Sequence, residues 1–194
     1  IAVVEHTPPE PVLRWAALLH DIGKPSCFSR TEDGVGHFFG HAEQSTVMAE
    51  QILNRLRFDR DGRERIVRLV RFHDMPLTAD RRLVKRLLSK HGEEAARQLI
   101  ELHRADTWGQ SAVCKPRLAV FDAMDAMAGE LLREAACFSL KDLAVNGTDM
   151  LDLGFRGREI GAVLQKCLDA VLDERAANDR DELLLSLIHI SEPT

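Results

Sequence analysis

The chain has no tyrosine, and aromatic residues make up only 5% of its 194 residues. A base-stacking sheet of the RNA-recognition type needs aromatics along its strands, so none is expected. The four cysteines, Cys27, Cys114, Cys137 and Cys167, lie far apart. Without a C-x-x-C pair, neither a zinc ribbon nor a dithiol redox centre is indicated, and reduced thiols of a cytoplasmic protein are the expectation. No apolar run approaches the roughly 20 residues that a membrane-crossing helix needs, and no signal peptide is visible. No membrane partner is therefore expected. Alternating β-branched runs with hairpin signals are also missing. The net charge is −5, which argues against nucleic-acid binding by the surface as a whole.

What remains is an ordinary composition, 45% hydrophobic and 29% charged, enough to bury a core. Apolar residues recur with helical period through most of the chain. Helices are predicted over 11–20, 41–58, 63–73, 81–90, 93–107 and 118–138, then a short one over 148–154 and a long one from 159 to about 175. Residues 26–37 read as a loop. An all-α fold follows: a helical bundle over 1–138 and a small helical segment over 139–184. Residues 185–194 match an in-frame translation of a transposase sequencing-library adapter and are set apart from the fold. The chain starts at Ile1 rather than Met, which reads as a cut or incomplete N-terminus.

The run His20-Asp21-Ile22-Gly23-Lys24-Pro25 closes the first apolar helix. An imidazole beside a carboxylate is a ready metal pair. Gly23 is expected to let the backbone turn, and Pro25 to stop the helix. His41, His73 and Asp106 follow, each near the end of a different predicted helix. Ligands gathered from separate helices are how a metal site is built in a bundle core. Mixed imidazole and carboxylate donors suit Mg, Mn, Fe, Ni or Zn better than calcium.

At these residues the sequence resembles the HD superfamily of metal-dependent phosphohydrolases, whose pattern is H…HD…D, with two further histidines in two-metal members. The resemblance implies that His20, Asp21, His41, His73 and Asp106 are metal ligands, with Asp21 able to bridge two ions. Asp21 and Lys24 are the implied catalytic residues, Lys24 facing a substrate phosphate oxygen. His6 is the only histidine before the doublet and lies in a loop-like stretch, so the family's first ligand is expected to be missing.

A second pattern follows in Asn146-Gly147-Thr148-Asp149-Met150-Leu151-Asp152-Leu153-Gly154, then Gly157, Ile160-Gly161, Leu164, Val171-Leu172 and Asn178-Asp179. It resembles the helical body that follows the HD domain in bacterial CCA-adding tRNA nucleotidyltransferases. That resemblance implies a grip on the tRNA acceptor arm. Gly157 opens a helix, whose free N–H groups favour phosphate, and Arg156 and Arg158 flank it. Gly154 is expected to cap a helix and Gly161 to permit close helix packing. Nothing here matches the paired-carboxylate nucleotidyltransferase head, so nucleotide addition by this chain alone is not expected. The alternative is a stand-alone HD phosphohydrolase acting on a nucleotide or cyclic phosphodiester. From Arg55 to Lys90 twelve basic residues face five acids, a local excess of +7; this stretch is either a phosphate-facing surface or a solvated helix face.

Overall fold

A computed structural model describes residues 2–134 and 136–190. In order come α1 (Ala2–Glu5), α2 (Pro11–Leu19), α3 (Lys24–Cys27), β1 (Ser29–Arg30), β2 (Gly36–His37), α4 (His41–Arg55) and α5 (Arg60–Phe72). They are followed by α6 (Arg81–Gly109), α7 (Leu118–Arg133), α8 (Gly147–Asp152), α9 (Arg158–Leu172) and α10 (Arg180–Ile190). The fold is all-α, as the periodicity predicts. Packing divides the chain into two compact units, one of residues 1–79 with 93–125 and one of 80–92 with 126–194. Gly92 marks one seam. Its φ of 77° breaks the helical backbone inside α6, where the sequence places a stop.

The first unit packs α2 and α4 against α5. Its core is built from stripes at helical spacing. Leu13, Ala16 and Ala17 are buried on α2, Ala49 and Leu53 on α4, Ile66, Leu69 and Val70 on α5, and Leu99 and Leu102 on α6. Each stripe runs into a polar residue that is also inside. His20 continues the α2 stripe, His41 begins that of α4, and His73 continues that of α5, all three buried.

Gly23 turns out to matter for space rather than for a special dihedral. Its φ of −81° is open to any residue. A Cβ there would lie 2.7 Å from the Ser45 amide nitrogen and 2.8 Å from the His41 carbonyl oxygen. The bare backbone lets the Gly23 N–H donate to Ser45 Oγ at 2.9 Å, docking the turn onto α4. Pro25 starts α3 rather than ending a helix, because a first-turn position needs no N–H. The predicted loop over 26–37 contains the β1–β2 hairpin, antiparallel with Ser29 opposite His37 and Arg30 opposite Gly36. Two-residue strands are too short to show an alternating pattern.

The second unit has its own core of Cys137, Val145, Met150, Val163, Cys167, Leu168, Val171, Leu172, Leu183 and Leu187. Asn146 caps α8 by accepting from the Thr148 N–H, and Asp149 reaches back to the Asn146 N–H at 2.8 Å. The helix ends with Gly154 at φ 95°. There the Phe155 N–H donates to the Met150 carbonyl and the Gly154 N–H to that of Leu151, the paired closure of a Schellman motif. Arg180 donates twice to Asp149. Asn178 accepts from the Ala144 N–H and donates to the Asp142 carbonyl. Asp179 caps α10 through the Asp181 and Glu182 N–H groups. No atom lies within 4 Å of a Cβ built on Gly161, so the close packing expected there is not found. Of the expected adapter tail, 185–190 continue α10, and 191–194 lie outside the described residues.

Candidate metal centre

His20 caps the C-terminus of α2 and is still helical, its N–H bonded to the Ala16 carbonyl. Asp21 follows at once. His41 is the first residue of α4, after Gly40 in a left-handed conformation. His73 caps the C-terminus of α5, and Asp106 sits in the last turn of α6. The five come together. His20 Nε2 lies 3.2 Å from Asp21 Oδ2 and 3.5 Å from Asp106 Oδ1. On the other side of the same carboxylate, Asp21 Oδ1 is 3.6 Å from His41 Nε2 and 3.5 Å from His73 Nε2. Two potential ligand groups result, His20–Asp21–Asp106 and Asp21–His41–His73, with Asp21 common to both.

The separations suit metal ligation. Donors about 2.1 Å from an ion stand roughly 3.0–3.4 Å apart at octahedral to tetrahedral angles. The hydrogen bonds suit it better still. Nδ1 of His20, His41 and His73 each meets the carbonyl three residues earlier, Ala17 at 2.8 Å, Phe38 at 2.9 Å and Val70 at 2.7 Å. A carbonyl only accepts, so Nδ1 of each ring carries a proton and Nε2 faces the cluster, a ligand once it holds no proton. His41 Nε2 and His73 Nε2 are 3.1 Å apart. Two lone pairs at that distance repel unless a proton or a cation lies between them. His20 Nε2 and Asp21 Oδ1 are buried and make no well-directed hydrogen bond. The donor set thus fits a divalent metal, on buried polar atoms that nothing else satisfies.

The electrostatics give the metal a competitor, a proton on His20 shared with the two carboxylates. Burial is the largest influence on Asp21 and would raise it, but His20, His73 and Lys24 hold its carboxyl well below the usual range. Burial likewise pushes His20 down. Asp106 and Asp21 outweigh it and bring the imidazole up to about 9. Asp106 is held low by His20 against its own burial. The carboxylates stay charged and ask for a cation. Lys24 supplies one, with Nζ 2.6 Å from Asp21 Oδ2.

A cavity of about 170 Å³ opens over the cluster, lined also by Asp74, His103, Gln110 and Arg117. From sequence, Asp74 is a rival to its neighbour His73, and His103 is expected to face solvent or pack locally. His103 is only 8% exposed, its Nε2 lacks a partner, and burial holds it down at about 4. Its spacing of three from Asp106 on one helix was the available signal. His6 is used elsewhere: its ring stacks on Trp108 and its Nδ1 meets the Ala2 carbonyl.

Arg156, Gly157 and Arg158 sit in the second unit at the start of α9, all exposed. Gly157 has φ 57° and ψ −123°, a conformation only glycine adopts readily. Arg156 is partly committed, because its guanidinium donates to the Leu151 and Phe155 carbonyls. Part of the basic stretch is paired: Arg65 with Glu94, Arg81 with Glu134, Lys85 with Glu174 and Arg86 with Asp173.

The HD domain family matches residues 5–130. The A-adding tRNA nucleotidyltransferase of Deinococcus radiodurans is 35% identical over 117 residues, covering 60% of this chain and 27% of that protein. The CC-adding tRNA nucleotidyltransferase of Thermus thermophilus is 29% identical over 171 residues, covering 87% of this chain and 38% of that protein. The chain therefore spans roughly a third of the length of these relatives, and homology to them runs over most of it.

Proposed function

The chain belongs to the HD domain family, and from that premise we propose that it is the HD domain and helical body of a CCA-adding or related tRNA nucleotidyltransferase, acting in tRNA 3′-end processing. The observation that carries this reading is the likeness to the CC-adding enzyme over 87% of the chain. A match of 171 residues in a chain of 194 runs past residue 139, into the capped segment. Domain limits of 1–138 and 139–184 go with it, as does a cytoplasmic location. The paired-carboxylate head finds no match in these residues, so nucleotide addition is not assigned to them.

For the HD part the proposed chemistry is hydrolysis of a phosphoester on a nucleotide or phosphodiester. His20, Asp21, His41, His73 and Asp106 would hold Mg, Mn, Ni or Fe. When bound, such ions polarise a phosphoryl oxygen and make water more acidic. The chain's own part is orientation. The three Nδ1 bonds aim the rings, Asp21 presents one oxygen to each ligand group, and Lys24 offers a proton-bearing cation to a non-bridging phosphate oxygen. In the second unit, Arg156, Gly157 and Arg158 would meet the backbone of the tRNA acceptor arm.

Two measurements test this. In gel-shift titrations the chain is expected to bind intact tRNA more tightly than tRNA lacking its acceptor arm; equal affinity would count against the body reading. Hydrolysis of bis-p-nitrophenyl phosphate should require Mn or Ni and vanish in Asp21→Ala. Metal-independent turnover would remove the metal-dependent phosphohydrolase reading.

A further inference from the structure

The β1–β2 hairpin carries aromatic surface beside the metal cluster. In a chain with eight phenylalanines, Phe28 is 52% exposed, Phe38 38% and Phe39 74%. The register places Phe28 across from Phe38, one step beyond the Ser29–His37 pair, and their rings stand 5.5 Å apart. His37 and Phe39 stack at 4.9 Å. Alternation along an extended strand puts them on the opposite face. The Phe28 ring lies against the bare backbone of Gly36, where a Cβ would come within 2.9 Å. The pair is therefore seated on the hairpin, with its outer surface left to solvent.

Two bonds join this face to the cluster. Lys24 Nζ stands 5.7 Å from the centre of the Phe38 ring while it binds Asp21. The Phe38 carbonyl holds Nδ1 of His41. A phosphate drawn to Lys24 would thus carry its attached group over Phe38 and Phe28. We propose that the Phe28–Phe38 pair is a nucleobase platform, and that the preferred phosphoester at this site is a nucleotide. The inference rests on the proposed metal-dependent phosphoester reading. A base has an apolar π-face that stacks on such rings whatever its identity.

The test begins with calorimetric Mn2+ uptake by the 194-residue chain. With Mn2+ saturating, binding of adenosine 5′-monophosphate is compared with ribose 5-phosphate, which lacks the base. The nucleotide should bind at least about fivefold more tightly. Phe28→Ala should abolish that difference with Mn2+ uptake unchanged, and Phe39→Ala, on the other face, should preserve it. Equal affinities in the wild type would overturn the platform alone, whereas absence of Mn2+ uptake would overturn the metal reading with it. If Phe28→Ala converts a dimer to a monomer in sedimentation and leaves the ratio intact, the face covers a second copy and the proposal fails.

Discussion

At His20, His41 and His73 the ring nitrogen nearer the backbone is tied to a carbonyl, so the outer nitrogen of each is left as a donor. His103 lines the same cavity under a different constraint. Burial holds it neutral, down to about 4, against about 6.5 in an unfolded chain. The unfolded state then binds more protons, so the His103 contribution to stability is lost as pH drops from about 6.5 to about 4 and is level above that window. In chelator-treated protein, His103→Gln should flatten this limb by up to roughly 3 kcal/mol in denaturant titrations at stepped pH. Gly23 makes a second prediction. An added methyl would meet two backbone atoms of α4 that have little room to retreat. Gly23→Ala should cost about 1–3 kcal/mol and weaken Mn2+ uptake, because His41 begins the helix that must shift. Thermal melting and calorimetry read the two effects.

The elements explain what was legible in the residues and what was not. Helices announced themselves because their apolar stripes are long and regular. Four of the five clustered residues could be found because each lies at the end of such a stripe, and Asp21 because it follows one. His103 stayed hidden because a lone histidine inside a stripe looks like local packing. The hairpin stayed hidden because strands of two residues carry no period. In the arginine-rich stretch, Arg65, Arg81 and Arg86 close on Glu94, Glu134 and Asp173, acids distant in sequence, which spacing cannot show. The second pattern has a local physical content: Asn146 and Asp149 start α8, Gly154 ends it, and Asn178 and Asp179 fix the approach to α10. Removing one such cap, Asn146→Ala, should lower stability by about 1 kcal/mol, seen as a lower denaturant midpoint with an unchanged slope.

Over the whole molecule, helices long enough to bury their own stripes build two cores, and no disulfide fastens either of them. Cys27 and Cys114 are partly exposed, while Cys137 and Cys167 are buried in the second core. Burial also pushes the Cys137 and Cys167 thiols up, which keeps them protonated and unreactive. A thiol reagent at neutral pH should therefore titrate two sulfurs quickly and the remaining two only in denaturant. Rapid reaction of all four would mean that the second core opens readily. The carbonyl ties of the three imidazoles have a consequence for substitution. Each ring takes its aim from its own helical turn, so no ring depends on another for its orientation. Replacing one of the three would leave the other two aimed as before.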